Sequence, residues 1–480
     1  MEQSDPKKPC LERQRPVAGQ RRRRKPKLDA TRFELVHADA AGIDLGNLSH
    51  WVAVPPHRPG ETVREFRTTT SALEAMADWL LEHGVRTVAM EATGVLWVPV
   101  YELLERRGLD VCLVHAAHVK NASGRKTDVL DCQWIQKLHS CGLLRPSFRP
   151  SDEVVVLRSY VRQRAELARA QSAYVQRMQK ALTQMNLRLP IVVGDITGVT
   201  GLAIIRHMLE GQRDPKVLAQ LRDRRCKHTE AEIAEALHGN WRDEHLFALR
   251  QSLATWEHLT RQLSDVDREI ESALRALGDD PRVDPTQTLE PASKKIRVAQ
   301  RELGFDARTL LHQKAGADIT DITGISLLTA LTIVSEVGTD MTRWPTDGHF
   351  ASWLGLAPNR RVSGGKEISS RVRHRNTNRA AAAFRIAAST VYRSDNPFGS
   401  FYRRKAAKGK ALAVTATAHR MARCVYAILK HGTAYAAQGL AVQRAREQAR
   451  HVASLQRAAA KYGLQLIPVP APTDDASATG

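Results

Sequence analysis

A chain of 480 residues has room for two or three domains and for sizeable buried cores. Its 42% hydrophobic content fits a globular protein, and no stretch approaches the run of about 18 apolar residues that a membrane span requires, so no membrane partner is expected. A formal net charge of +21 implies an acidic polymer, a polyanion, as partner. The N-terminus lacks an apolar signal core, which points to the cytoplasm. The six cysteines have neither Cys-x-x-Cys nor zinc-site spacing and read as reduced thiols.

Residues 1–32 are polar and basic, with Arg21 to Arg24 followed by Lys25-Pro26-Lys27. They predict a disordered arm that either grips a nucleic-acid backbone or serves solubility alone. Residues 33–150 then alternate strand-like and helical patterns. Asp44 follows the apolar run Ala41-Gly42-Ile43, a second extended run from His50 to Val54 comes straight after it, and Glu91 ends the short run Thr87-Val88-Ala89-Met90. A third strand-like run covers Val111 to His115, and Asp128 and Asp131 open an amphipathic helix, three apart and so on one face, which continues through apolar Ile135 and Leu138. Taken singly, Asp44 reads as a turn residue, and the Asp128–Asp131 pair as a helix cap with its dipole partner. Taken in order, strand–Asp–strand, strand–Glu, strand and a helix with Asp-x-x-Asp are the pattern of a ribonuclease-H-like nuclease domain. Four carboxylates converging there need hard cations, Mg²⁺ or Mn²⁺, which cleave phosphodiesters by stabilising attacking and leaving oxygens.

Residues 151–317 are read as a helical coiled-coil region. One heptad runs Leu157, Val161, Ala168, Val175, Met178, Leu182, Met185 and Leu189, interrupted by polar Arg164 and Gln171. A second runs Leu246, Leu249, Leu253, Trp256, Leu263, Ile270 and Leu274, interrupted by Thr260 and Asp267. Such helices pair either as a hairpin within one chain or between chains. Residues 278–317, charged and carrying Pro281, Pro285 and Pro291, are read as a connector.

Residues 318–435 are expected to form a mainly helical C-terminal domain, followed at 436–480 by a terminal helix and a disordered Pro/Ala/Asp/Thr-rich tail. The sequence Asp195-Ile-Thr-Gly198 recurs at Asp321-Ile-Thr-Gly324. Gly324 therefore marks either an ordinary helix cap or a helix-hairpin-helix turn whose free amides hold a phosphate. Residues 340–430 carry eighteen Lys or Arg against four Asp or Glu, and Arg360, Arg361, Lys366, Arg371, Arg373 and Arg375 surround the turn Ser363-Gly364-Gly365. Those cations are candidate phosphate contacts. Ser363 is first of all a turn residue, but positive charge beside it favours an alkoxide and a pentacovalent phosphate.

Gly42-Ile43-Asp44, Met90-Glu91-Ala92-Thr93-Gly94, Lys126-Thr127-Asp128-Val129-Leu130-Asp131, Ile322-Thr323-Gly324-Ile325, Gly355-Leu356-Ala357-Pro358, Ser363-Gly364 and the segment from Asn396-Pro397 to Lys410 occur in one order. As a set they resemble the DEDD-type transposases of bacterial insertion-sequence family 110, with its 1111 subgroup, and the related Piv-type DNA invertases. The resemblance implies a RuvC-like N-terminal domain, a coiled-coil region and a C-terminal transposase domain. It implies that Asp44, Glu91, Asp128 and Asp131 bind Mg²⁺, and that Ser363 attacks double-stranded DNA to form a phosphoserine intermediate in a composite site. It also implies a non-coding RNA from the element that pairs with donor and target DNA; the heptads and the composite site suggest a homo-oligomer (dimer or tetramer), expected on the nucleoid in the cytoplasm. Asp39, a competing ligand, is set aside because Gly42-Ile43 precedes Asp44 as in the family; Ser369 and Ser370 lack the Ser-Gly turn. The rival readings are a Piv-like invertase, a RuvC-like Holliday-junction nuclease that uses water, and a basic nucleic-acid-binding protein with a decayed nuclease domain.

Overall fold

The computed structural model describes residues 35–92, 94–115, 128–284, 289–358, 361–369, 372, 378–432, 445, 448–449, 452–465 and 467. The basic arm at 1–32 and the tail from 468 lie outside the described residues. The chain divides into two compact units, Met1–Phe148 and Arg149–Gly480.

The first unit is a mixed five-stranded sheet with helices. Its elements run β1 (Ala40–Leu45), β2 (Ser49–Ala53), β3 (Val63–Arg67), α1 (Thr70–Glu82), β4 (Thr87–Glu91), α2 (Trp97–Arg106), β5 (Asp110–Val114) and α3 (Asp128–Ser140). The strand order is β3-β2-β1-β4-β5. β1 pairs antiparallel with β2 and parallel with β4, and β4 pairs parallel with β5. The central strands β1 and β4 are short continuous apolar runs because both faces are covered, whereas the edge strand β3 exposes Arg64, Glu65 and Arg67. One face, carrying Ile43, Leu45, Val52, Val88 and Met90, builds the main core with Leu73, Met76 and Leu80 of α1 and Val100 and Leu104 of α2. On the other face Ala89 and Val114 pack with Ile135, and Leu138 packs against that cluster, as the apolar face of the Asp-x-x-Asp helix predicts.

The second unit is largely helical. Two long helices, α4 (Asp152–Gln184) and α9 (Asp243–Ala276), pack on each other within the chain, which selects the hairpin arrangement for the two heptads. Their polar interruptions meet. Arg164 donates to both carboxylate oxygens of Asp267, at 2.5 and 3.4 Å, and Gln171 Nε2 donates to Thr260 Oγ1 at 2.9 Å. The antiparallel register set by those two contacts brings Val161 level with Ile270 and Leu182 level with Leu249, all four buried. Between the long helices stand α5 (Leu189–Val192), α6 (Val199–Leu209), α7 (Pro215–Ala219) and α8 (Glu230–Ala236); their apolar faces join Met178, Leu182 and Met185 in a core of their own.

The stretch read as a connector carries two helices, α10 (Lys294–Leu303) and α11 (Ala307–Ala315). Each is closed by a glycine in the left-handed region, Gly304 at φ 76° and Gly316 at φ 74°, and Ser293 and Asp306 cap their starts. Beyond come α12 (Leu327–Val337), α13 (Asp347–Trp353), the hairpin β6 (Arg361–Ser363) and β7 (Lys366–Ser369), then α14 (Arg379–Thr390), α15 (Pro397–Ala406) and α16 (Lys410–His431). Arg162 forks onto both carboxylate oxygens of Glu336, each at 2.7 Å, and ties α4 to the end of α12. Residues 452–461 are helical.

Candidate active site

Asp44 is the next-to-last residue of β1 and stands on the face that receives α3. The preceding residue on that face is Gly42, and α3 crosses the strand there so closely that a Cβ on Gly42 would lie 2.2 Å from the Gln136 amide nitrogen and 2.5 Å from the Cys132 carbonyl oxygen. The helix runs opposite to the strand. Near its end the Ser140 carbonyl accepts from the amides of Val36 and His37, at 2.8 and 3.0 Å, and in the middle Gln136 Nε2 donates to the Ala40 carbonyl at 3.1 Å. From the Gly42 crossing, Asp128 is one helical turn back from Cys132, about 5.4 Å, and Asp44 is two strand residues on, about 6.6 Å. The matching strides bring the start of the helix beside Asp44. Glu91 shares this face with Ala89, and the parallel register Ile43 to Met90 makes it the next step level with Asp44.

The electrostatics agree with that geometry. The Asp44 carboxyl is raised from its ordinary 3.8 to about 6, chiefly by burial and then by the negative charges of Asp131, Asp128 and Glu91, against a smaller lowering by the Leu45 amide. The other three sequence-predicted carboxylates are thus near enough to Asp44 for their charges to act on it. Among the described residues no three Asp, Glu, His or Cys side chains stand close enough to make a ready metal cage. Carboxylates that act on Asp44 without standing that close still offer the oxygen donors a hard divalent cation takes. Cys132, beside Asp131, is a poor ligand in comparison: burial pushes its thiol up to about 12, and Sγ donates to the Val129 carbonyl at 3.1 Å.

Asp39 belongs to the opposite end of β1, where it is ion-paired with Arg58 and with Arg86. Its charge is neutralised there, which accounts for the choice of Asp44 over it.

In the second unit Ser363 is the last residue of β6, exposed, and opposite Lys366 across the hairpin. Gly364 and Gly365, at φ 56° and 76°, make the two-residue turn; consecutive left-handed conformations of this kind join antiparallel strands and favour glycine at both positions. The turn expected at Ser-Gly-Gly is therefore the tip of a hairpin, and the serine stands beside it. Of the expected phosphate contacts, Lys366 is exposed on β7 and Arg361 belongs to β6. Arg360, Arg371, Arg373 and Arg375 lie outside the described residues.

Gly324, at φ 98°, precedes α12, and a Cβ there would meet Val391 Cγ1 at 2.6 Å and the Ala387 carbonyl at 2.7 Å. Close packing on α14 is one sufficient reason for this glycine. The reading along the sequence passed over a cationic and aromatic surface on α15 and α16. The Phe401 ring is faced by Arg404 at 5.4 Å, Lys405 at 5.7 Å and Arg420 at 5.0 Å from its centroid. Basic residues interleaved with phenylalanine from 398 to 410 were the available signal.

Two family models match the chain. A DEDD transposase model of the IS110 type covers residues 41–187, which include all four carboxylates, and the model of the IS116/IS110/IS902 transposase family covers residues 317–403, which include Ser363. The chain belongs to the IS110 family of transposases. It is a DNA transposase, an enzyme of DNA recombination, and its mixed sheet with helices followed by a mainly helical unit fits a ribonuclease-H-like DEDD domain joined to a helical domain. No curated protein matched the transposase. Among the described residues no helix is long and apolar enough to cross a membrane.

Proposed function

We propose that the transposase cuts and rejoins double-stranded DNA through Ser363. The hydroxyl oxygen attacks the phosphorus of a phosphodiester, a P–O bond to serine forms, and the bond to one deoxyribose oxygen breaks. The serine proton is given up as the departing oxygen takes one, so charge and atoms balance. One phosphate ester replaces another, and the stored ester bond lets a later DNA hydroxyl reverse the step on a new strand without an external energy source.

The observation that supports this reading is the charge of Glu91, Asp128 and Asp131 acting on the buried carboxyl of Asp44, in a chain whose other matched segment contains Ser363. These four carboxylates would hold Mg²⁺, or Mn²⁺ in its stead, which when bound would supply positive charge against that on the phosphate oxygens. The exposed Lys366 and the arginines near Ser363 in sequence favour the serine alkoxide and hold the DNA backbone. Following the family resemblance, an element-encoded non-coding RNA pairs with donor and target DNA and selects the sites. The basic surfaces then bind RNA backbone as well as DNA, and the active form is a homo-oligomer at work on the nucleoid.

The test is a reaction on labelled element-end DNA with the flanking RNA and Mg²⁺, resolved on a denaturing gel. We expect protein covalently attached to DNA in the wild type and no adduct with Ser363→Ala or Asp128→Ala. Cleavage that survives Ser363→Ala without any adduct, and fails in Asp128→Ala, would replace this mechanism with a water-using nuclease. A substrate carrying two ends in inverted orientation distinguishes movement of an element from inversion of the segment between them.

A further inference from the structure

Gly42 and Gln136 lie at the crossing of β1 and α3, and neither has a group suited to the chemistry. Gly42 leaves the space into which the Cys132–Gln136 turn of the helix settles, with backbone atoms 2.2 to 2.8 Å from where a Cβ would be. Gln136 is buried and its side-chain amide donates in two directions, to the Ala40 carbonyl of β1 at 3.1 Å and to Ser140 Oγ of its own helix at 2.9 Å. Asp128, Cys132 and Gln136 are spaced four apart and form one stripe along the helix. Whatever fixes Cys132 and Gln136 against the strand therefore fixes the height of Asp128, and of Asp131 next to it, over Asp44.

We propose that Gly42 and Gln136 are positioning residues that set the separation between Asp44 on the strand and the Asp128/Asp131 pair on the helix, and so set the affinity of the carboxylate cluster for a divalent cation. The inference rests on the reading of those carboxylates as a metal site. The steric argument is direct. The Gly42 Cβ would face helix backbone rather than a side chain that can turn away, and ordinary contact begins near 3.4 Å. A methyl group at 42 must push the helix outward by on the order of 1 Å, a displacement large enough to disrupt a preorganised site. Removing the Gln136 amide leaves the space filled but releases the helix from the strand.

Mn²⁺ alone, titrated into the full-length protein and followed by its paramagnetic resonance signal, gives the affinity without DNA, RNA or turnover. The variants are Gly42→Ala, Gln136→Met and Val88→Ala, with Asp44→Ala as the reference for loss of the site. Val88 is fully buried on the opposite face of the sheet, so its truncation lowers stability without touching the α3 crossing. We expect Gly42→Ala to weaken Mn²⁺ binding about tenfold or more and Gln136→Met severalfold, the range in which supporting residues tune metal sites. Val88→Ala should melt earlier and bind Mn²⁺ as the wild type does. Wild-type affinity in a folded Gly42→Ala and in Gln136→Met overturns the proposal, as does equal weakening by Val88→Ala. Should Gly42→Ala not fold, Gln136→Met against Val88→Ala decides alone. Absence of Asp44-dependent Mn²⁺ binding in the wild type overturns the metal reading itself, and this inference with it.

Discussion

Asp44 is held in the folded protein in a form the fold disfavours. Its carboxyl titrates near 6 rather than at its ordinary 3.8, because burial and three neighbouring carboxylates oppose ionisation. With the folded value above the unfolded one, the contribution of this group to stability is fully present below about 4 and is lost as pH rises through about 6. At pH 7.5 an ionised Asp44 is thus a net cost, about 2 kcal/mol once partial solvent access is allowed for. Asp44→Asn removes one charge and should raise the melting temperature of the metal-free protein at pH 7.5, while abolishing the further rise that Mg²⁺ gives the wild type. Calorimetry with and without Mg²⁺ checks both halves; an unchanged or lower melting temperature in the metal-free variant would mean that the carboxylates do not repel as described. At this scale the sequence was readable where chemistry and position coincide. Asp44 was preferred to Asp39 because Gly42-Ile43 precedes it as in the family, and the structure adds that Asp39 is ion-paired with Arg58 and Arg86. Gln136 was not readable, since only the crossing of α3 over Gly42 makes a buried amide necessary there.

Between elements, the long helices show how much a heptad carries. Two runs of apolar residues gave the helices, and the polar breaks at Arg164 and Gln171 in one and Asp267 and Thr260 in the other are complementary when the helices run antiparallel. Had the pairs been read together, the hairpin would have been legible from the sequence. The helices α10 and α11 were hidden by Pro281, Pro285 and Pro291, all of which stand before them, and by their shortness, which leaves little periodicity to see. The hairpin holding Ser363 was hidden too, because strands of three and four residues show no alternation. The Arg164–Asp267 pair is buried, and burial raises the Asp267 carboxyl despite the guanidinium beside it. Removing one partner leaves a buried charge uncompensated, so Arg164→Leu should destabilise the helical unit by about 3 to 5 kcal/mol. The double variant Arg164→Leu/Asp267→Leu should recover most of that loss in urea unfolding. A double variant no more stable than the single one would mean that the pair sets more than local packing.

For the whole molecule, a net charge of +21 is the property that composition alone made legible, and the proposed function puts nucleic acid where that charge is densest. Eighteen Lys or Arg against four acidic residues between 340 and 430 place a dense positive field in the segment that contains Ser363. Among the described residues, Arg404 on α15, Lys408 in the turn that follows and Lys410 at the start of α16 are exposed, and Phe401 lies beneath cations. Binding that releases condensed counterions must weaken with salt, by roughly 10³ to 10⁵ between 50 and 200 mM when six to ten phosphates are neutralised. Each phosphate that is no longer neutralised lowers the slope of log affinity against log salt by about 0.9. Replacing Arg404, Lys408 and Lys410 together by glutamine should therefore reduce that slope by roughly two to three on a duplex of arbitrary sequence. If these side chains hold backbone rather than base edges, the weakening is alike across sequences. Fluorescence anisotropy at several salt concentrations measures it. An unchanged slope would move the phosphate-binding surface away from α15 and α16, whereas a weakening confined to one sequence would mean that the same residues read bases. Uniform weakening in the triple variant, with covalent capture by Ser363 retained at low salt, separates holding the polymer from reacting with it.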